Sequence, residues 1–439
     1  MGFKSWLRDR TKPLRRRLWP ARRWYEYQRR LQGMRCFRLG ADFLRLLRVL
    51  PQRSKEGQPM RLLIVNLTPH LGDTIMQMPM IEALRAANPE AHIEYAVEES
   101  AAPLLRLMPQ LDKVYALRLG KTSPLAYGLA VKRAFRVTMA YWKFMRHSEP
   151  TVCLMPRWGD DLFRASALAY LSSASRRIGF SWDVVRGVDP APYRDALLTD
   201  IIRGGSGMHE PVRFCLLASE AGLIPRSAVD QVSEQGLLSL KRMAEMQDWP
   251  MLAERLGIDR RVPFAVIAPG ASHPKKMWPL ERWLPVMDEL KAMGLHVVLL
   301  SGPSDADVAR DLQARSGNRA TLVAGTTSLA ESLTLLSQAA LFLGNDSGPG
   351  HVAGALGIPT VALFITGPRV DPDNAYALER NRPMGPFVAC CRPPHSIPPC
   401  EGWCSAPDAH CITLIEPEDV IRAATGVLER AKATRAELV

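Results

Sequence analysis

The sequence predicts an α/β fold made of two doubly wound domains that face each other across a cleft. Arg61–Leu67 is a continuous, β-rich apolar run, typical of a parallel strand buried on both faces, and a helical pattern and a second strand follow it. A similar alternation of strands and helices begins again at Phe264. Between the two series, residues 183–262 contain many Pro and Gly residues, which indicates a change of domain.

The individual elements follow from the periodicity of apolar residues. In the first series, Pro79–Ala87 has helical spacing, Ile93–Val97 and Val152–Met155 read as strands, and residues 127–147 read as a basic helix. In the second series, strands are predicted at Phe264–Ala268, His296–Leu300, Thr321–Val323, Leu341–Leu343 and Thr360–Phe364, and helices at Leu280–Met293, Asp305–Arg315 and Leu329–Ala339. The predicted units are therefore a basic extension at 1–60, Rossmann-like domains at 61–245 and 246–415, and a closing helix at 416–439.

The positive charge of the chain is confined to its first 60 residues. The formal net charge is +13, and residues 1–60 hold 17 Lys or Arg against four Asp or Glu, so the remainder is balanced. These basic residues alternate with Trp, Tyr and Leu, as in helices that lie on an anionic membrane surface. A basic leader, or a helix packed on the body through Phe43, Leu46, Leu47 and Leu50, is the alternative. No recognition motif follows, so we expect no nucleic-acid partner.

The cysteines suggest a reducing compartment and a structural cluster. No apolar run reaches the roughly 18 residues that span a bilayer, and residues 1–19 lack the apolar segment of a signal peptide, so we expect a cytoplasmic protein without disulfides. Five of the eight cysteines fall between 390 and 411. Cys400, Cys404 and Cys411, with Cys391 or Cys390, could form a tetrahedral Zn or Fe site, although none of the spacings is the usual Cys-x2-Cys. Plain reduced thiols are the alternative.

The first motif that carries chemistry is Thr68–Ile75, directly after the first strand. Its Gly72-Asp73 pair places a carboxylate at the carboxyl end of a parallel strand, where open α/β sheets bind ligands. A carboxylate there can accept a proton from an attacking hydroxyl. The alternative is that Asp73 only caps the helix that follows.

The second motif, Ala268–Pro279, follows the first strand of the second domain. Its small residues let backbone N–H groups approach an anion, and Lys276 can place a positive charge on a phosphate. A solvated turn is the alternative.

The third motif is the Gly-rich segment Gly344–Pro359, which runs from a strand into a helix predicted at His351–Leu356. A helix start of this kind presents free N–H groups and the positive end of a helix dipole to a diphosphate. The segment has neither the glycine spacing of the dinucleotide fingerprint nor a Walker lysine. An ordinary strand-to-helix turn is the alternative.

Together the three motifs resemble glycosyltransferase family 9, the bacterial heptosyltransferases of lipopolysaccharide core assembly. The resemblance covers about residues 61–425. Its most specific parts are Gly72-Asp73 with Leu84-Arg85 and Pro89, Lys276–Pro279, and Asp346–His351 followed by Gly357–Pro359.

The resemblance implies a GT-B fold in which the N-terminal domain binds an acceptor and the C-terminal domain binds a nucleotide sugar, typically ADP-heptose. Asp73 corresponds to the catalytic base and Lys276 to the residue that holds the donor phosphate. The reaction would be an inverting displacement that needs no metal or other cofactor. The expected acceptor is a lipid-anchored saccharide at the cytoplasmic face of the inner membrane.

The resemblance also assigns the donor-binding residues. Asp346, with Ser347, Gly348 and His351, corresponds to the donor-binding loop. An acidic residue near the nucleotide ribose would be Asp305 or Asp307, and the sequence leaves this choice open, with Asp305 as the candidate. The Asp305-x-Asp307 pair has the spacing of a metal-binding pair, but its place at a helix start argues against that role.

The basic head and the crowded cysteines depart from the family pattern, so the acceptor stays open. Some family members that glycosylate autotransporter proteins are similar in carrying an iron-binding Cys finger, which makes a protein O-heptosyltransferase one alternative. The other is a non-catalytic GT-B scaffold that docks on membranes. The presence of both Asp73 and Lys276 argues against a scaffold, which has no need of either.

Overall fold

The structure is a computed structural model. It describes residues 59–118, 148–157, 165–184, 192–232 and 237–437, except 69, 369, 373, 375, 401–403 and 405, together with 35, 38, 39, 41, 42 and 52–54. The helix predicted at 127–147 and most of the basic head lie outside the described residues.

The first domain contains a parallel sheet of six strands in the order β3-β2-β1-β4-β5-β6. The strands are β1 (Arg61–Asn66), β2 (His92–Glu98), β3 (Lys113–Leu117), β4 (Val152–Met155), β5 (Arg176–Phe180) and β6 (Asp200–Ile202). The central strand β1 is almost wholly buried and pairs with β2 and β4, so that Ile64 lies beside Tyr95 on one side and Leu154 on the other. This strand order is that of a doubly wound domain.

The second domain repeats the arrangement with a parallel sheet in the order β12-β11-β10-β7-β8-β9. Its strands are β7 (Phe264–Ala268), β8 (His296–Ser301), β9 (Thr321–Ala324), β10 (Leu341–Asn345), β11 (Thr360–Leu363) and β12 (Val388–Cys391). Strand β7 takes the place that β1 has in the first sheet, between β8 and β10. The predicted α/β fold with two doubly wound domains is confirmed.

Helices flank both sheets. Before β7 they are α1 (Leu71–Ile75), α2 (Met78–Ala87), α3 (Ala102–Leu105), α4 (Ala165–Leu171), α5 (Glu210–Glu220), α6 (Ser227–Asp230), α7 (Leu238–Ala244) and α8 (Trp249–Leu256). After β7 they are α9 (Leu280–Ala292), α10 (Ala306–Arg315), α11 (Leu329–Ser337), α12 (Gly348–Ala355), α13 (Leu378–Asn381) and α14 (Pro417–Glu437). Within the described residues, no helix is both long and apolar enough to cross a membrane.

The sequence analysis missed four strands, β5 inside the first sheet and β3, β6 and β12 at sheet edges. Strands β3 and β6 are partly exposed, so they lack the continuous apolar run that identifies a strand buried on both faces. Strand β12 is short and only its last residue, Cys391, is buried. These segments form strands because they pair with a neighbouring strand, and a local sequence pattern does not reveal that pairing.

The two domains meet at the helices that follow β1 and β10. A Cβ atom on Gly72, in α1, would lie 2.8 Å from Cδ2 of His351, in α12. One on Gly348 would lie 3.3 Å from Leu71. Only glycine at position 72 lets the backbone of one domain approach the imidazole of the other this closely.

A buried ion pair joins the domains a second time. The Glu210 carboxylate, at the start of α5, accepts hydrogen bonds from Nε and Nη2 of Arg380, in α13, at 3.1 and 2.6 Å. Arg213 donates to the same carboxylate at 3.2 Å, and its guanidinium lies 4.1 Å from the Phe180 ring centroid. All three charged side chains are buried, so the removal of one leaves its partners charged in an apolar environment.

A few described residues of the head contact the first domain. The Arg53 guanidinium donates to the backbone oxygens of Ser172 and Ala174 and lies over the Tyr170 ring. The Tyr170 hydroxyl donates to Asp42 at 2.8 Å. At these positions the extension is attached to the body, whereas Phe43, Leu46, Leu47 and Leu50, the residues of the packing alternative, lie outside the described part of the chain.

The buried ion pair gives a stability prediction. Glu210→Gln keeps the side-chain volume but leaves Arg380 without a counter-charge, so we expect the free energy of unfolding to fall by about 3–5 kcal/mol. The control, Glu379→Gln, breaks the exposed pair with Arg392 and should cost at most about 1 kcal/mol. Urea unfolding followed by circular dichroism measures both. Equal effects of the two substitutions would contradict a structural role for the buried pair.

Candidate active site

Asp73 lies where the sequence places it, just beyond the carboxyl end of β1. It is the third residue of α1, and its Oδ2 accepts hydrogen bonds from Thr68 Oγ1 and Arg157 Nη1, both at 2.9 Å. The N-cap of α1 is His70, and no side chain caps this helix. The capping alternative for Asp73 is therefore wrong, and the carboxylate is held by a cation instead.

The surroundings keep Asp73 ionised. Burial by itself raises its pKa, but the Arg157 guanidinium, His70 and the Thr68 hydrogen bond outweigh that effect, and the pKa lies below its usual range. Within the described part of the chain, the hydrogen bonds to this carboxylate all reach Oδ2. Oδ1 therefore remains as the oxygen that can accept a proton from a bound molecule.

Sequence reasoning missed Arg157, the partner of Asp73. Arg157 follows β4 by two residues, and β4 pairs with β1, so both side chains reach the same edge of the sheet. Its place after an apolar strand was the one available signal, but residues 73 and 157 are far apart in the sequence. His70, also missed, lies close enough to Asp73, Arg157 and Lys276 to feel their charges, while burial, the largest cause, lowers its pKa.

Across the interface, Lys276 and Asp346 form one unit. Lys276 ends a short 3-10 turn after β7, and its Nζ donates to Asp346 Oδ2 at 2.6 Å. Asp346 follows β10, and its own N–H donates to the backbone oxygen of Leu363. The structure thus brings together two residues that the sequence analysis placed in separate motifs.

The start of α12 carries buried polar atoms with no partner among the described residues. These are Oγ of Ser347, which is the N-cap, and Nδ1 of His351. Burial lowers the His351 pKa despite Asp346 and Asp73 nearby, so its imidazole is neutral at pH 7. A helix start with orphaned N–H groups and a hydroxyl of this kind suits a phosphate group.

The structure separates Asp305 from Asp307. The Asp305 carboxylate lies against the loop after β7, where a Cβ atom on Gly270 would be 2.0 Å from its Oδ2. Asp307 points away, is almost fully exposed and pairs with Arg310. The two carboxylates therefore do not converge as a metal-binding pair would, and of the two only Asp305 faces the loop after β7.

The cysteine cluster differs from the predicted one in its fourth member. Cys400, Cys404 and Cys411 come together, and the fourth potential ligand is His410. Cys391 ends β12 and faces α14, where its Sγ lies 3.9 Å from the backbone oxygen of Asp419. The predicted inclusion of Cys391 is therefore wrong, because the strand directs this side chain into the core of the domain.

The two halves of the site meet at the α1–α12 contact. On the Asp73 side, a small cavity is lined mainly by residues of the first domain, among them Asp73, Gln77, Arg157 and Glu210, and by Asn381 of the second domain. One side of the site therefore offers an ionised carboxylate, and the other offers an ammonium group and a helix start. This combination suits a reaction in which a proton is removed on one side while negative charge grows on the other.

Comparisons with known proteins find relatives of this chain in sequence and in fold. Residues 159–370 match the model of the family "Glycosyltransferase family 9 (heptosyltransferase)". Lipopolysaccharide heptosyltransferase 3 of Escherichia coli is 25% identical over 300 residues, which are 67% of this chain and 80% of that protein.

Two solved structures show the same fold. The glycosyl transferase family 9 protein from Veillonella parvula DSM 2008 superposes with a TM-score of 0.60 at 19% identity, covering 86% of this chain and 99% of the other. The E. coli heptosyltransferase WaaC with ADP gives 0.61 at 16% identity, covering 84% and 100%. The fold is therefore GT-B, and the chain is a glycosyltransferase that is similar in sequence to the heptosyltransferases of family 9.

Proposed function

We propose that this enzyme transfers heptose from ADP-heptose to a lipopolysaccharide core intermediate. The observation that carries the proposal is that Asp73 of one domain faces the Lys276–Asp346 pair of the other where α1 and α12 touch. Relatives named as lipopolysaccharide heptosyltransferases, and a structural neighbour solved with ADP, support this donor and this acceptor class.

On the acceptor side, Asp73 acts as the general base. As the acceptor oxygen attacks the anomeric carbon, its proton passes to Asp73 Oδ1, and the bond from that carbon to the diphosphate oxygen breaks with its electron pair leaving on ADP. The configuration at the anomeric carbon is inverted. Arg157 and Thr68 hold Oδ2 and so fix the direction in which the free oxygen points.

On the donor side, positive charge and hydrogen-bond donors receive the leaving diphosphate. Lys276 supplies the charge, and Asp346 positions its ammonium group through the 2.6 Å contact. The start of α12, with the Ser347 hydroxyl and the neutral imidazole of His351, supplies donors. Asp305 lies at the edge of this region, where it suits a ribose hydroxyl. The step as proposed needs no metal ion.

We further propose that residues 1–60 hold the enzyme on the cytoplasmic face of the inner membrane. Seventeen basic residues in this segment, interleaved with Trp and Leu, suit an anionic lipid surface. The contacts of Asp42 and Arg53 with Tyr170 would fix the end of this segment to the acceptor-binding domain.

The assigned roles predict that two variants both slow transfer but differ in their donor affinity. Asp73→Asn should lower kcat by about 10²–10⁴-fold, because the base is lost, and leave ADP-heptose affinity within about twofold. Lys276→Met should weaken donor binding by about 10–100-fold, since it removes a charged hydrogen bond, and should slow transfer as well. Donor affinity is measured by calorimetry and transfer by ADP release with heptose-deficient lipopolysaccharide.

Lys291→Met, an exposed lysine at the end of α9, is the matched control and should change neither quantity. An Asp73→Asn enzyme with full turnover would remove Asp73 from the mechanism. A wild-type enzyme that releases ADP with an unmodified polypeptide, but not with lipopolysaccharide, would favour the protein O-heptosyltransferase alternative.

The contact between Arg157 and Asp73 predicts that substitution of Arg157 changes how kcat/KM depends on pH. Because its charge lowers the Asp73 pKa, the base stays ionised well into the acid range, and Arg157→Gln should move the acid limb of kcat/KM to higher pH. The variant should therefore lose more activity at pH 5–6 than at pH 8. Arg176→Gln, which breaks a pair with Asp200 at the sheet edge, should leave the profile unchanged. An unshifted acid limb in Arg157→Gln would contradict this role.

Deletion of residues 2–34 tests the membrane proposal. This removes 11 basic and two acidic residues but keeps Asp42 and Arg53. At about 1 kcal/mol per basic residue near an anionic surface, binding to phosphatidylglycerol vesicles should be lost. Replacement of Arg15, Arg16 and Arg17 by Gln in the full-length protein should give intermediate vesicle binding, which should weaken as the salt concentration rises. Equal sedimentation of truncated and full-length protein with vesicles would show that the anchor lies elsewhere.

A further inference from the structure

Three cysteines and one histidine converge beside the donor side of the active site. The Sγ atoms of Cys400 and Cys404 lie 3.9 Å apart, and His410 Nδ1 lies 3.7, 3.8 and 3.5 Å from Sγ of Cys400, Cys404 and Cys411. All four potential ligand atoms lie within 4.8 Å of one another. The cysteines are buried, and His410 is partly buried.

The four individual separations, one between sulfurs and three between sulfur and nitrogen, are close to the edges of a coordination tetrahedron. With metal–sulfur bonds of about 2.3 Å and metal–nitrogen bonds of about 2.0–2.1 Å, tetrahedral geometry places sulfurs about 3.8 Å apart and sulfur and nitrogen about 3.5 Å apart. A disulfide would need about 2.05 Å between sulfurs, far less than the 3.9 Å found. The Ile397 N–H also donates to Cys411 Sγ at 3.5 Å, as backbone amides do to metal-bound thiolates.

We propose that Cys400, Cys404, Cys411 and Nδ1 of His410 bind one zinc ion. Three thiolates and one imidazole form a donor set typical of structural zinc. The four ligands fill a tetrahedron and leave no open position, so the ion has a structural role. This assignment does not depend on the donor or the acceptor of the transferase.

The site is connected to the turn that carries Lys276. Lys275, the preceding residue, donates through Nζ to the backbone oxygen of Cys404 at 3.1 Å. A little farther along, Trp278 Nε1 and Arg282 Nη1 both donate to the backbone oxygen of Ile415, four residues after Cys411. The metal-bound loop therefore holds the Lys276 turn from two directions. This consequence, unlike the metal site, rests on the proposed function.

Metal analysis tests the site directly. Full-length protein purified without chelator should contain about one zinc per chain by plasma mass spectrometry. Cys404→Ser and His410→Ala should lose it, whereas Cys391→Ser, a buried cysteine outside the cluster, should keep it. Cobalt exchanged for zinc should give the visible absorption of a tetrahedral thiolate site. The proposal would be overturned by wild-type protein that contains no metal, by a Cys400–Cys404 disulfide, or by iron in place of zinc.

A conservative variant separates positioning from folding. His410→Cys keeps four ligands, so it should retain metal and wild-type ADP affinity, while His410→Ala should weaken ADP binding several-fold with less effect on kcat. Lys275→Met should weaken ADP binding in the same way but retain zinc. If metal-free His410→Ala, shown to be folded by circular dichroism, binds ADP normally, the metal does not position Lys276. If zinc is present but ADP-heptose is not a donor, only the proposed function fails.

Discussion

The active site depends on one steric contact, the approach of the α1 backbone at Gly72 to the imidazole of His351 in α12. Each helix follows a central strand of its own sheet, so the contact joins the carboxyl ends of the two sheets directly. A side chain at position 72 would separate Asp73 from the Lys276–Asp346 pair. Because the proposed reaction needs a base and a leaving-group site within reach of one molecule, it depends on the closeness of these two helices.

Charges on both sides of this contact are held by partners rather than exposed to solvent. Arg157 keeps Asp73 ionised although the carboxylate is largely removed from water, and Asp346 directs the Lys276 ammonium group. Away from the contact, Glu210 and Arg380 join the domains through a fully buried ion pair. A pair of this kind contributes little net stability but penalises any arrangement that leaves one partner unmatched, so it favours a single relative placement of the domains.

The turn that carries Lys276 is supported from outside the sheet of the second domain. The segment 397–415 packs beside the turn after β7 and is attached to it through Lys275, Trp278 and Arg282. Short turns have few buried contacts of their own, so their geometry depends on what they pack against. Under the proposed function, the Cys and His side chains of this segment therefore matter to the donor side even though none of them lies in it.

The sequence alone determined the fold class, because the central strands are apolar on both faces and each is followed by a helix with clear periodicity. It also located Asp73, Lys276 and the Asp346–His351 loop, since each motif directly follows its strand. Only the tertiary structure decided which side chains these residues contact and which residues complete each cluster. Arg157 meets Asp73 through the pairing of β1 with β4, Asp305 rather than Asp307 faces Gly270, and His410 replaces Cys391. These choices depend on strand order and side-chain direction between distant segments, which a local pattern does not contain.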